Sequence, residues 1–428
     1  MLSKVKLGQA IADAAARRRA GISAVRSFLG DRKHWLWLAV WVATRALIVA
    51  EVGFWATSHP RLEDVNNYAT WSRVLTGGGA FPGGDAWQYP PGAGVLMLVP
   101  RILPGSYGEA FVGLLLLVDF IGLVLLARLA RRSGNDTGVW VWLLAMPLLG
   151  TFAVLRFDLV PTVIAIAALL VVHRRPQWFG ALAGLGAVVK LWPVLVLFGE
   201  WDRKRLLRSI AAAVAVVAVV FAATALVFGN PAGFLSNGGG RGLQEEAVAT
   251  IPWQLEQIVS GDPYPRQIRF GAWEVATPTA DTVATALEWL TLAALAAAAA
   301  WWWRWRQRIR EGWDCLADAA VSRDFVFTVV LLVVVTSRVL STQYMVWLLG
   351  LAAVVLSAGT ARLARPAWIV VGATALSMAT FKSPELTLVR DLALLAATVD
   401  AAVAMVGMLR QPQAGPRPLT GRSAAPSA

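Results

Sequence analysis

HRRPQWFGALAGLGAVVKLWPVLVLFGEWDRKR, residues 173–205, decides how the chain is threaded. Residues 178–199 are apolar and long enough to cross a bilayer, which takes about 20 residues of α-helix. Both flanks are basic, with Arg174-Arg175 before and Arg203-Lys204-Arg205 after. Lys and Arg beside spanning segments collect on the cytoplasmic side, so one straight crossing leaves a basic cluster on the wrong face. Lys190 and Pro193 interrupt the middle, and proline removes a helical hydrogen bond and clashes with the preceding turn. A broken hairpin that enters and leaves on the cytoplasmic side, with Lys190 at its tip, satisfies both constraints. Irregular backbone at membrane depth must be buried in protein or line a cavity. The alternative threads this segment and the short stretch 92–103 straight across, and strands two Arg clusters outside.

The rest of the chain has the same character. Of its 428 residues, 57% are hydrophobic and 15% charged, where soluble domains run near half and a quarter. The class is therefore an all-α polytopic membrane protein. The net charge of +13 comes in short basic runs between apolar segments, which is the positive-inside pattern and not a nucleic-acid face. A lone cysteine, Cys315, excludes an intrachain disulfide, and His34, His59 and His173 are scattered. No Cys/His metal site follows from them. No cofactor is expected, and a divalent cation has no ligand motif behind it. Residues 1–34 hold Arg17-Arg18-Arg19 and Arg32-Lys33 but no apolar core ending in a small-residue cleavage site. They read as a cytoplasmic segment, and the Pro/Ala/Ser/Gly-rich residues 411–428 as a disordered cytoplasmic tail.

Between them, residues 35–410 form one integral membrane domain. Residues 35–56 go out, 108–130 return to Arg131-Arg132, 139–155 go out and 159–172 come back to Arg174-Arg175. After the hairpin, 208–228 go out and 281–303 return, and four further spans follow at 324–337, 344–358, 367–381 and 386–409. That is about ten full spans plus two partial insertions, the hairpin and the proline-bracketed stretch 92–103. Both termini are then cytoplasmic, and residues 58–91 and 229–278 are long external loops. No internal repeat of the kind that symmetric transporters show is visible.

Polar residues concentrate at the outward ends: Asp64, Arg156/Asp158, the run from Arg241 to Glu246, the run from Arg338 to Tyr344, and Lys382/Glu385. In the first loop, helical spacing puts Asp64, Tyr68 and Trp71 on one face. A carboxylate just above the bilayer can take a proton from an attacking hydroxyl; the competing role for Asp64 is to cap its helix. Asp85, in a Gly-rich turn, reads as structural. Arg338 suits phosphate through its bidentate fork, or else snorkels to the interface. Lys190 needs an anionic partner, either a carboxylate such as Asp158 or a lipid phosphate. Arg156 and Asp158 are expected to pair with each other, and Arg45, Glu51 and Asp119 to make pairs inside the bundle.

Several of these pieces resemble the C-type-fold glycosyltransferases, membrane enzymes that use polyprenyl-phosphate sugars, and among them the actinobacterial polyprenyl-phosphomannose-dependent mannosyltransferases. The resemblance rests on the Asp64/Tyr68 loop, Gln88-Tyr89-Pro90-Pro91, Arg156-Phe157-Asp158, Lys190-Leu-Trp-Pro193, Arg241-Gly-Leu-Gln244-Glu-Glu246 and Ser341-Thr342-Gln343-Tyr344-Met-Val-Trp347, which occur in the family's order. It departs at Glu245-Glu246-Ala247, where a Glu-Ser pair is more usual. The resemblance implies an inverting transfer on the outer face of the plasma membrane, with Asp64 as catalytic base and Glu63 as its competitor. It implies a donor phosphate held by Arg338 and Lys190, and substrate contacts from Tyr68, Tyr89, Arg241, Gln244, Gln343 and Tyr344. The donor implied is a polyprenyl-phosphate sugar, with mannose first, and the acceptor a glycolipid or lipoglycan among membrane lipids. A lipid-linked-sugar flippase is the alternative in another class. It would want charges along a path across the membrane, where here they gather at one face.

Overall fold

The computed structural model describes residues 32–58, 63–83, 87–237, 240–310, 318–378 and 383–410, most of them helical. The helices begin with α1 (Arg32–Ser58), α2 (Glu63–Gly78), α3 (Pro91–Leu98), α4 (Tyr107–Ser133), α5 (Thr137–Ala145), α6 (Phe152–Leu155), α7 (Leu159–Val171), α8 (Pro176–Val189) and α9 (Arg203–Phe228). They continue with α10 (Phe234–Asn237), α11 (Ile251–Ser260), α12 (Pro278–Arg310), α13 (Asp318–Thr336), α14 (Met345–Ala358), α15 (Ala364–Leu376) and α16 (Pro384–Arg410). The Glu63 side chain, His59, Asp85, Cys315, Lys382, residues 1–31 and residues 411–428 fall outside the described set.

Six helices, α1, α4, α9, α12, α13 and α16, are long and apolar enough to cross a membrane, against the roughly ten full spans expected. The shorter apolar helices α3, α5 and α8 run into 3-10 turns at Val99–Ile102, Met146–Leu149 and Trp192–Gly199. Each turn carries a proline (Pro100, Pro147, Pro193) that cannot continue an α-helical ladder. The outer surface is greasy: Leu226 on α9 is 89% exposed, and Val214 and Val219 are exposed beside it. Such a surface fits hydrocarbon, not water.

The 178–199 stretch is the hairpin that the charge pattern demands. Helix α8 ends at Lys190, whose backbone turns extended, and the 3-10 segment Trp192–Gly199 runs back along α8. The two ends meet: Glu200 Oε1 lies 3.0 Å from His173 Nδ1, and Arg205 Nη1 donates to the His173 carbonyl (2.7 Å). His173 Nε2 bonds Ser322 Oγ at 2.7 Å, tying the hairpin's base to α13. Close packing of α8 on α9 depends on two glycines one turn apart. A Cβ on Gly180 would stand 1.9 Å from the Ser209 carbonyl oxygen, and one on Gly184 2.6 Å from that of Ala213. Small residues at such spacing let helix backbones approach in lipid. Inside the bundle, Arg45 binds Asp119 with Nε at 2.7 Å and Nη2 at 2.9 Å, the expected interior pair.

One departure from the all-helical expectation is a β-hairpin, β1 (Arg266–Arg269) with β2 (Ala272–Val275), in the second long loop. Its two-residue turn has Phe270 and Gly271 at φ 52° and 72°, the left-handed pair that a tight hairpin turn requires. The segment before α11 lies against β2: Val275 N–H donates to the Leu243 carbonyl and Glu245 N–H to the Trp273 carbonyl, both at 2.9 Å.

Candidate active site

Segments far apart in the chain converge on one cavity of about 890 Å³. Its polar lining includes Asp64, Gln88, Tyr89, Arg156, Lys190 and Arg241, with Gln244, Ser341, Gln343 and Tyr344 on the remaining side. Three cations thus face one carboxylate. A second wall is apolar, made by Leu191, Val194 and Leu195 of the hairpin and by Leu295, Val333 and Val334 of α12 and α13.

Asp64 stands in the first turn of α2 and is ion-paired with Arg156. Arg156 does not pair with Asp158, contrary to expectation. Asp158 pairs instead with Lys190 at the hairpin tip and accepts from Trp347 Nε1 at 2.8 Å. The ammonium also sits over the rings of Tyr344 (4.7 Å), Trp347 (4.8 Å) and Phe157 (5.5 Å). Such faces attract cations through the ring quadrupole. The buried cation thus has a carboxylate and three aromatic neighbours, and it still reaches the cavity.

Tyr68 is not at the cavity surface. It is 1% exposed and packs on Phe111 and Phe157, each 5.4 Å away. Burial lifts its phenol well above the ordinary range. The reason is periodic: Val65, Tyr68, Ser72 and Leu75 form the buried stripe of α2, which leaves Asp64, Asn67 and Trp71 to line the cavity. Tyr89 does line it, its hydroxyl pushed up by burial to about 12. The Arg338 guanidinium is not part of the lining either; it pairs with Glu288 of α12 at 2.6 Å. What Arg338 gives the site is its carbonyl, which accepts from Gln244 N–H at 3.0 Å. Gln244 Nε2 donates to Ser341 Oγ (2.9 Å), while its Oε1 and Arg241 Nε have no partner among the described residues. Buried polar atoms in that state are unusual in a settled core. Here they border the space that a ligand would fill.

Sequence reasoning missed Arg156 as a site residue, because its partner Asp64 is remote in the chain. It placed Trp71 on the Asp64 face, where the cavity lining has it, but missed Asn67, although its three-residue offset from Asp64 was a usable signal. Among the described residues, no group of three or more His, Cys, Asp or Glu side chains is placed to hold a metal ion.

Residues 87–319 match Glycosyltransferase family 87, more than half of the chain. The chain belongs to that family. It is accordingly a glycosyltransferase, which joins a sugar from a donor to an acceptor. The matched stretch contains Tyr89, Arg156, Lys190, Arg241 and Gln244; it starts after Asp64 and ends before Gln343 and Tyr344. No curated protein and no solved structure matches the chain.

Proposed function

We propose that the protein is an inverting C-type-fold transferase that moves a sugar, mannose first, from a polyprenyl-phosphate donor to a glycolipid or lipoglycan hydroxyl outside the plasma membrane. What carries the proposal is the two-zone cavity, with Asp64 and three cations on its polar side and an aliphatic wall beside them. A phosphate-headed lipid needs both zones. Lys190 and Arg241 hold the donor phosphate. Arg338 can join them by leaving Glu288, because its pair is solvent-facing (Glu288 side chain 51% exposed) and such pairs are worth roughly 0–1 kcal/mol. The polyprenyl chain lies along Leu191, Leu195 and Val333.

In the reaction, the acceptor oxygen attacks the anomeric carbon from the face opposite the phosphate. Asp64 takes the hydroxyl proton. The bond from anomeric carbon to phosphate oxygen breaks with its electron pair going to the phosphate, whose growing charge Lys190 and Arg241 offset. Arg156 aims the Asp64 carboxylate by its ion pair. Charge supports the sidedness: Arg132, Arg174 and Arg323 crowd one another at the helix ends remote from the cavity, which suits the cytoplasmic face. Asp64→Asn tests the assignment with purified protein in nanodiscs, radiolabelled polyprenyl-phosphate mannose and a membrane glycolipid extract. Transfer is expected to vanish while donor binding stays. Turnover near the unsubstituted level would remove Asp64 from the mechanism.

A further inference from the structure

A second cavity, of about 400 Å³, lies on the far side of the β-hairpin from the first. The paired segment 243–245 and strand β2 form the wall between the two, and strand alternation distributes their side chains. Gln244 and Ala272 face the first cavity, and their neighbours Glu245 and Trp273 face the second. The wall is one strand thick. The lining differs in kind. Two carboxylates (Glu245, Glu246) meet one cation (Arg266), with the amides of Gln254 and Gln257 and the rings of Tyr264 and Trp273.

Gln254 supplies the independent observation. It is 1% exposed, and its Nε2 is committed to Asp391 Oδ2 (2.7 Å) and Thr250 Oγ1 (2.8 Å). Gln254 lines the cavity, and its buried carbonyl Oε1 has no hydrogen-bond partner among the described residues. An acceptor left so wants a donor. The carboxylates beside it are also acceptors. Glu246 accepts from Thr342 Oγ1 at 2.9 Å, and burial holds its carboxyl above the ordinary range. Glu245 is bound by Arg266 Nη1 at 3.0 Å, and that guanidinium lies 4.8 Å from the Trp273 ring centre. Trp273 itself is 41% exposed. With Arg390 counted (Nη1 3.7 Å from Glu246 Oε2, Nη2 2.7 Å from Asp391 Oδ1), the three carboxylates Glu245, Glu246 and Asp391 still stand against two cations, a balance that with two aromatic faces disfavours a phosphate head. Such a lining suits an uncharged molecule rich in hydroxyl donors with apolar C–H faces.

We infer that this second cavity binds a neutral saccharide, the part of the acceptor's glycan beyond the residue that receives the sugar. The assignment to an acceptor rests on the transferase reading above; the saccharide site itself does not. Vicinal hydroxyls donate to Gln254 Oε1 and the glutamates, and a pyranose face lies against Trp273. The cavity then grips the acceptor one strand away from the donor and leaves its terminal hydroxyl free to reach Asp64.

The test is saturation-transfer NMR on the full chain in nanodiscs, with neutral linear mannose oligosaccharides of one to four residues as probes. Affinity is expected to rise with length. Trp273→Ala and, separately, Glu245→Gln should each weaken the trimer by roughly tenfold, the effect of one lost stacking or charge-assisted contact. Inorganic phosphate should not compete. Absence of binding, affinity untouched by both substitutions, or displacement by phosphate would each overturn the inference. The two proposals fail separately. Oligosaccharide binding without transfer from the donor removes the polyprenyl-phosphate reading and keeps the saccharide site. Transfer that needs Asp64, with oligosaccharide affinity indifferent to Trp273 and Glu245, does the reverse.

Discussion

Lys190 is where stability and chemistry can be separated most cleanly. The ammonium neutralises Asp158, a carboxylate 2% exposed whose other hydrogen-bond partner among the described residues is the Trp347 indole N–H. Lys190→Met removes the cation and leaves that carboxylate buried without a counter-charge. Breaking one side of a buried pair costs about 3–5 kcal/mol, and losing the three ring contacts adds about 0.5–2 kcal/mol. The single variant should therefore show a large fall in its thermal unfolding midpoint in detergent. Asp158→Asn in the same chain should recover most of it, because asparagine still accepts from Trp347 and no charge is left unpaired. Turnover should not recover. A leaving phosphate that has lost one preorganised cation is expected to lose on the order of 100-fold or more in rate. The assay is transfer from radiolabelled polyprenyl-phosphate mannose by the single and double variants, normalised to folded protein. If the double variant turns over like the unsubstituted protein, Lys190 is a structural cation and the donor phosphate is held elsewhere.

Two further outcomes are expected. Gly180→Leu must force α8 off α9, since a Cβ there already lies 1.9 Å from a carbonyl oxygen. The cost should exceed the usual overpacking range of about 1–3 kcal/mol, and Gly77→Ala, with open space around its Cβ position, should have little effect on the midpoint. Glu246 has its carboxyl raised above the ordinary value of 4.5, by burial first. The folded chain therefore holds that proton more tightly than the unfolded chain. Stability is greatest below the ordinary value and falls as pH rises toward the raised one. Glu246→Gln should flatten that fall in a plot of unfolding midpoint against pH, and an unchanged slope would refute the assignment.

The hairpin was legible because its determinants are local: two basic flanks, a mid-segment lysine and a proline. The interior pair of Arg45 and Asp119 was legible for a similar reason, since charge inside an apolar span must find opposite charge. Partner choice was not legible. Arg156 and Asp158 are two residues apart and oppositely charged, yet each turns to a residue on another element, Asp64 on α2 and Lys190 at the end of α8. Only the packing of α2 and α8 around that tripeptide decides this. The misplacement of Tyr68 was avoidable, because Val65 and Leu75 already marked the stripe to which it belongs. The β-hairpin was signalled by Ile268, Trp273 and Val275 about a glycine, a pattern too short to stand out within a long loop. Its turn also places Phe270 where glycine is the usual residue. The guanidinium groups of Arg241 and Arg269, 5.7 and 5.5 Å from the ring centre, help hold it there.

The tripeptide Arg156-Phe157-Asp158 links the two halves of the site. Arg156 fixes the proposed base and Asp158 fixes the proposed phosphate ligand. Phe157, 1% exposed, is wedged against Tyr68 at 5.4 Å and Tyr89 at 5.0 Å. The separation between the proposed proton acceptor and the proposed leaving-group cation is thus set by a short run of backbone between α6 and α7, and not by flexible loops. Fixed spacing of that kind is what an in-line displacement requires, since attacking and leaving oxygens must stand on opposite sides of one carbon. The donor can dissociate without disturbing the spacing, because both ion pairs are internal to the protein. It also explains why a family match that begins after Asp64 still covers the machinery around it. Asp64, the proposed base, is held by Arg156, which lies inside the matched region.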